Sequence, residues 1–93
     1  MEYVAECFWS GVTEADLAEL DARANAIAGE GDEVRYRGST LVPSDEVVFC
    51  FFQGPSAEAV QAVAERAAIP FERILASVHV GSAVGGARTQ APE

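Results

Sequence analysis

The first half of this chain is written again 43 positions later, without a gap. Residues 6–13 lie over 49–56, Arg23-Ala24 over Arg66-Ala67, and Gly38-Ser39 over Gly81-Ser82. Eight of residues 1–39 meet an identical partner at that offset, among them Val4, Cys7, Phe8 and Gly11. Alanine-rich chains match themselves easily, so the conservative pairs carry weight: Trp9/Phe52, Thr13/Ser56, Leu17/Val60 and Leu20/Val63. A repeat constrains architecture more than any other signal. Here it demands one strand–helix–strand unit, used twice.

Local signals fill in that unit. Residues 2–9 are aromatic and β-branched and predict a strand ended by Gly11. Thr13 is a helix N-cap with Asp16 three residues on, and Leu17, Leu20, Ala24 and Ile27 give one apolar helical face. Gly29 to Asp32 stops the helix. Residues 34–42 predict the second strand, Pro43-Ser44-Asp45 a turn, and 46–52 the third strand. Gly54-Pro55-Ser56 repeats the stop and cap, Val60, Val63 and Ala67 supply the second helix face, and 73–80 predict the fourth strand. The order βαββαβ is that of the α+β ferredoxin-like fold: a four-stranded antiparallel sheet with both helices on one face. Two cysteines cannot supply an iron–sulfur cluster, so the word names topology only. Residues 1–82 read as a single domain and 83–93 as a flexible tail.

Charge narrows the partners. The net charge is −9 with six basic residues, all arginine, which argues against nucleic acid and anionic membrane. No apolar run reaches the roughly 18 residues of a membrane span. No secretory signal is visible, so a cytoplasmic location and reduced thiols are expected.

Strand alternation sorts the central side chains. Tyr3, Ala5, Cys7 and Trp9 share one side of the first strand, and Val4, Glu6 and Phe8 the other. The repeat carries these onto Val48, Cys50 and Phe52, and onto Val47, Phe49 and Phe51. Both sides are apolar, whereas a one-sided sheet shows water a polar face. The second face is therefore expected to meet another subunit or a ligand, and a homodimer is expected. A carboxylate under packed helices is costly. Glu6 thus assigns Val4, Glu6, Phe8, Val47, Phe49 and Phe51 to the open side. On the fourth strand Leu75, Ser77 and His79 fall there too, and the repeat sets Tyr36 beside them as the counterpart of His79. Arg35 and Arg37 are then turned toward the helices, unless a bulge intervenes.

These residues define the candidate site. Glu6, Tyr36 and His79, with Phe8, Phe49 and Phe51 around them, form an apolar surface with convergent polar groups. Glu6 or His79 would be the acid or base, with Tyr36 beside them, in a cofactor-independent enzyme of isomerase or cyclase type. The plainer alternative makes Glu6 an interface carboxylate and His79 a rim residue. Cys7 and Cys50 occupy equivalent positions and read either as a redox pair or soft-metal ligands, or as small buried hydrophobes.

The runs Gly38 to Pro43, Val47-Val48-Phe49-Cys50, Gly54 to Val60 and Ile69-Pro70-Phe71-Glu72-Arg73-Ile74 resemble a small bacterial family of former unknown function. One branch of it is described as nickel-binding, with a dimeric ferredoxin-like fold. The resemblance implies a small ligand-binding homodimer, with nickel or another divalent metal as a possible ligand and Cys50, Glu6 and His79 as donors. That branch carries histidines on its first strand, where this chain has Glu6 and Cys7. A purely structural or regulatory dimer is the third expectation.

Overall fold

The computed structural model describes residues 1–31 and 33–81; the tail expected over 83–93 lies outside them. The elements run β1 (Glu2–Phe8), α1 (Glu14–Ala28), β2 (Arg35–Val42), a 3-10 turn (Pro43–Asp45), β3 (Val47–Gln53), α2 (Ala57–Arg66) and β4 (Arg73–Ser77). The strands form one antiparallel sheet in the order β2-β3-β1-β4. This is the βαββαβ arrangement expected from the repeat.

Both helices start as their caps dictate. Thr13 Oγ1 accepts from Asp16 N at 3.1 Å, and Thr13 N donates to Asp16 Oδ2 at 2.9 Å, a reciprocal capping box. Ser56 Oγ accepts from Ala59 N at 3.1 Å. Each helix then lays a narrow stripe on the sheet, Leu20, Ala24 and Ala28 from α1 and Val60, Val63 and Ala64 from α2. The small alanines let the helices approach closely. Gly54 serves the same end, since a Cβ there would meet Val60 Cγ2 at 3.1 Å and Val34 Cγ2 at 3.3 Å. Arg23 Nε donates to Ala67 O at 2.8 Å and ties α1 to the C-terminal end of α2.

The core lies between helices and sheet. Tyr3, Ala5 and Cys7 of β1 and Val48, Cys50 and Phe52 of β3 are buried there, so the face assignment for the central strands holds. Phe71 packs against this core from the α2–β4 connection.

The outer strands depart from the expectation in two places. On β2, Tyr36 pairs with Phe52 but Gly38 pairs with Phe51, leaving Arg37 as an extra residue in a bulge. The bulge resets the alternation. Tyr36 lies on the helix side, its ring centroid 5.3 Å from that of Phe52, while Arg35 pairs with Gln53 on the open side. Gly38 permits the bulge with φ +108°, a conformation that side chains rarely adopt. The second departure is in β4, which ends at Ser77 rather than at residue 80. Ser77 pairs with Glu2, the first residue of β1, so Val78 onward has no strand to join. Among the described residues no helix is long and apolar enough to cross a membrane.

Candidate functional site

The open face is built from four cross-strand rows. Val42, Val47 and Phe8 form the first. Thr40, Phe49, Glu6 and Arg73 form the second, and Gly38, Phe51, Val4 and Leu75 the third. Arg35, Gln53, Glu2 and Ser77 close the sheet as the fourth. Apolar side chains make up the first row and, Gly38 apart, the third; Phe49 continues them through the second, beside Glu6 and Arg73. Phe8, Phe51 and Leu75 are 58%, 38% and 37% exposed, an apolar patch on a face that no helix covers.

Glu6 sits within this face with its charge matched. Its Oε1 accepts from Arg73 Nε at 2.6 Å, its directly opposite neighbour on β4. Glu6 is thus held as one half of a cross-strand ion pair. His79 lies beyond the fourth row, past the end of β4, at the opposite end of β1 from Glu6. Tyr36 lies under the helices. The structure therefore does not bring Glu6, Tyr36 and His79 together, although Phe8, Phe49 and Phe51 do share the open face with Glu6.

Tyr36 and the cysteines belong to the other side of the sheet. Tyr36 Oη is buried with no hydrogen-bond partner among the described residues, and burial pushes the phenol up to about 12. Cys7 and Cys50 are both fully buried free thiols. They stand diagonally across β1 and β3, where Cys50 faces Ala5 and Cys7 faces Val48. The neighbouring Cys7 sulfur and burial together push the Cys50 thiol up. Cys50 keeps its proton, while the hydrogen bond from Cys50 draws the Cys7 thiol below its ordinary value; both are small residues of the core.

The donor chemistry of the expected metal set follows from this placement. Cys50 is separated from Glu6 by the sheet itself, and His79 lies past the end of β4, outside the sheet. Among the described residues no three His, Cys, Asp or Glu side chains converge as a metal-binding group. The described residues of a single chain therefore offer no donor set that fits a nickel ion.

A cleft opens instead at the end of the face. Glu2, Arg37, Phe51, Ser77, Val78 and His79 contribute to its walls, and its volume is about 470 Å³. Arg37 Nη1 donates to Gln53 Oε1 at 3.1 Å, which holds the guanidinium at the rim. Of these residues Glu2, Phe51 and Ser77 follow from strand alternation, whereas Val78 and His79 lie past the end of β4. Gly38 directly after Arg37 was the available signal for the arginine, because an isolated glycine inside a strand marks a bulge.

A model of the nickel-responsive SCO4226-like proteins matches residues 3–76. Among solved structures, the crystal structure of SCO4226 from Streptomyces coelicolor A3(2) is similar, with a TM-score of 0.73 and 25% identity. The alignment covers 88% of this chain and 100% of that one. No curated protein matches the chain. With a matched span running from β1 into β4, the chain belongs to the nickel-responsive SCO4226-like protein family.

Proposed function

We propose that the protein is a small ligand-binding homodimer whose working surface is the open sheet face. The observation that carries this is the apolar patch of Phe8, Phe51 and Leu75, with Val4 and Phe49 half-buried between them. A chain of 93 residues has little core to spare, and covering such a patch adds burial that one subunit lacks. The acidic surface, at net charge −9, favours neither nucleic acid nor an anionic membrane as the cover.

Family membership supports a metal-related role, with nickel or another divalent metal as the ion to test first. At the cleft, Glu2 of the open face and His79 past the end of β4 stand with Arg37 beside them. Two donors next to a guanidinium are too few and oppose a cation, so a metal reading requires donors from a second copy. Proton-transfer catalysis has less support, since Glu6 is tied to Arg73 and distant in the sheet from His79. The two reduced, buried thiols suit a cytoplasmic location.

Light scattering at micromolar concentration, with and without added nickel, tests the proposal. A dimer is expected, and Phe51→Glu is expected to convert it to a folded monomer. A monodisperse wild-type monomer in both conditions would remove the homodimer.

A further inference from the structure

The arginines of this chain are unevenly compensated. Arg73 is paired with Glu6, Arg66 with Glu30, and Arg23 with Glu19 and the carbonyls that end α2. Arg88 lies outside the described residues. Arg35 and Arg37 have no carboxylate within 4 Å among the described residues. In a chain with fifteen acidic residues and six basic ones, two neighbouring arginines without a carboxylate are unexpected. They are also together for a structural reason. The bulge at Arg37 brings its guanidinium to Gln53, the residue that Arg35 faces across β2 and β3.

The cleft beside Arg37 combines its charge with an apolar wall. Phe51 and Val78 supply apolar surface, and Ser77 and His79 supply further hydrogen-bonding groups. Its volume of about 470 Å³ lies within the range of small-molecule sites. Arg37 uses Nη1 on a neutral amide, and the remaining N–H groups of a guanidinium suit the two oxygens of a carboxylate. Glu2 stands in the same wall and disfavours a ligand with two negative charges.

We propose that this cleft binds a small organic monocarboxylate, with Arg37 holding the carboxylate and Phe51 and Val78 the apolar body. The cleft adjoins the end of the open face at Glu2, Phe51 and Ser77 and reaches round to Tyr3 and Phe52; the assignment rests on that face being the working surface and adds the class of ligand. It requires no metal.

Phenylacetate is a suitable probe, with phenylacetamide as its uncharged twin, titrated in the presence of a metal chelator. Isothermal titration gives affinity, and amide NMR shifts locate the site. Expected are saturable binding of phenylacetate, shifts centred on Phe51, Ser77 and Val78, and affinity at least about ten-fold lower for phenylacetamide. Arg37→Gln is expected to weaken phenylacetate by a similar factor. Arg66→Gln, which changes net charge equally but lies across the molecule in an ion pair with Glu30, should leave it unaltered. The carboxylate assignment is overturned by absence of saturable shifts, by equal affinity for the amide, or by equal loss in the two arginine variants. Light scattering on the same samples separates the two readings. A dimer that ignores phenylacetate sinks only the ligand class, whereas a monomer that binds it sinks only the homodimer.

Discussion

Glu6 Oε1 lies 2.6 Å from Arg73 Nε, across the β1–β4 pair and 67 positions apart in sequence. The carboxylate side chain is 14% exposed and the guanidinium side chain 63%. A charge in an apolar strand is thus neutralised by its register partner, and the arginine carries the pair into water.

Glu6→Gln should keep the fold. The amide oxygen can still accept from Arg73, and only the charge is lost. With Arg73 so exposed, the expected loss is about 1 kcal/mol or less. Chemical denaturation of this variant and of Arg73→Gln checks it, and the two losses should be similar. A loss several times larger for Glu6→Gln alone would mean that the carboxylate holds something besides Arg73.

Tyr36→Phe should be neutral or stabilising at pH 7, because the hydroxyl is buried without a partner. The alkaline limb gives a second readout. The folded phenol keeps its proton up to about 12, while an unfolded tyrosine loses it near 10. Between those values the folded state binds more protons, so stability falls as pH rises, by at most about 1.4 kcal/mol per unit. Tyr36→Phe lacks that share of the fall. Urea midpoints of the two proteins at pH 7, 10 and 11 should diverge with pH; parallel curves would place the hydroxyl in water.

Cys50→Ala should lower stability by about 1–2 kcal/mol, the cost of deleting a fully buried small side chain. Neither thiol should react with a disulfide reagent in the native protein, and both should react in denaturant. Fast labelling of native Cys50 would show that the helix side opens.

Gly38→Val should cost about 1–3 kcal/mol, since valine is strained at φ +108° whatever the space around it. Gly31→Ala, with nothing within 4 Å of the added Cβ and no positive φ, is the control and should be close to neutral. If Gly38→Val folds by shifting the bulge, Arg37 moves with it, and phenylacetate binding should fall as well.

The central strands could be read from the chain because their determinants are local. Alternation and the 43-residue offset place Cys7 and Cys50 on one side and Phe8 and Phe51 on the other, and the structure agrees. The caps at Thr13 and Ser56 are equally local. What escaped depends on register between distant segments. Arg73 becomes the partner of Glu6 only once β4 is laid beside β1. His79 leaves the sheet because β1 begins at Glu2, a limit set by the neighbour strand rather than by residues 78–80. Tyr36 and Arg37 exchanged sides because one extra residue on β2 inverts everything before it. The repeat cannot report this, since α1 spans Glu14–Ala28 and α2 only Ala57–Arg66, and the outer strands emerge out of phase.

The two margins of the sheet carry a consequence for how copies of the chain can meet. β4 offers only five residues, and β2 is interrupted by a bulge at Arg37, with Arg35 close before it. Short, kinked and charged margins are poor templates for adding another strand. Ribbon-like growth from one molecule to the next is thereby discouraged at both sides. With the open face as the proposed contact, two faces laid together would consume each other, and assembly of that kind would terminate at a pair.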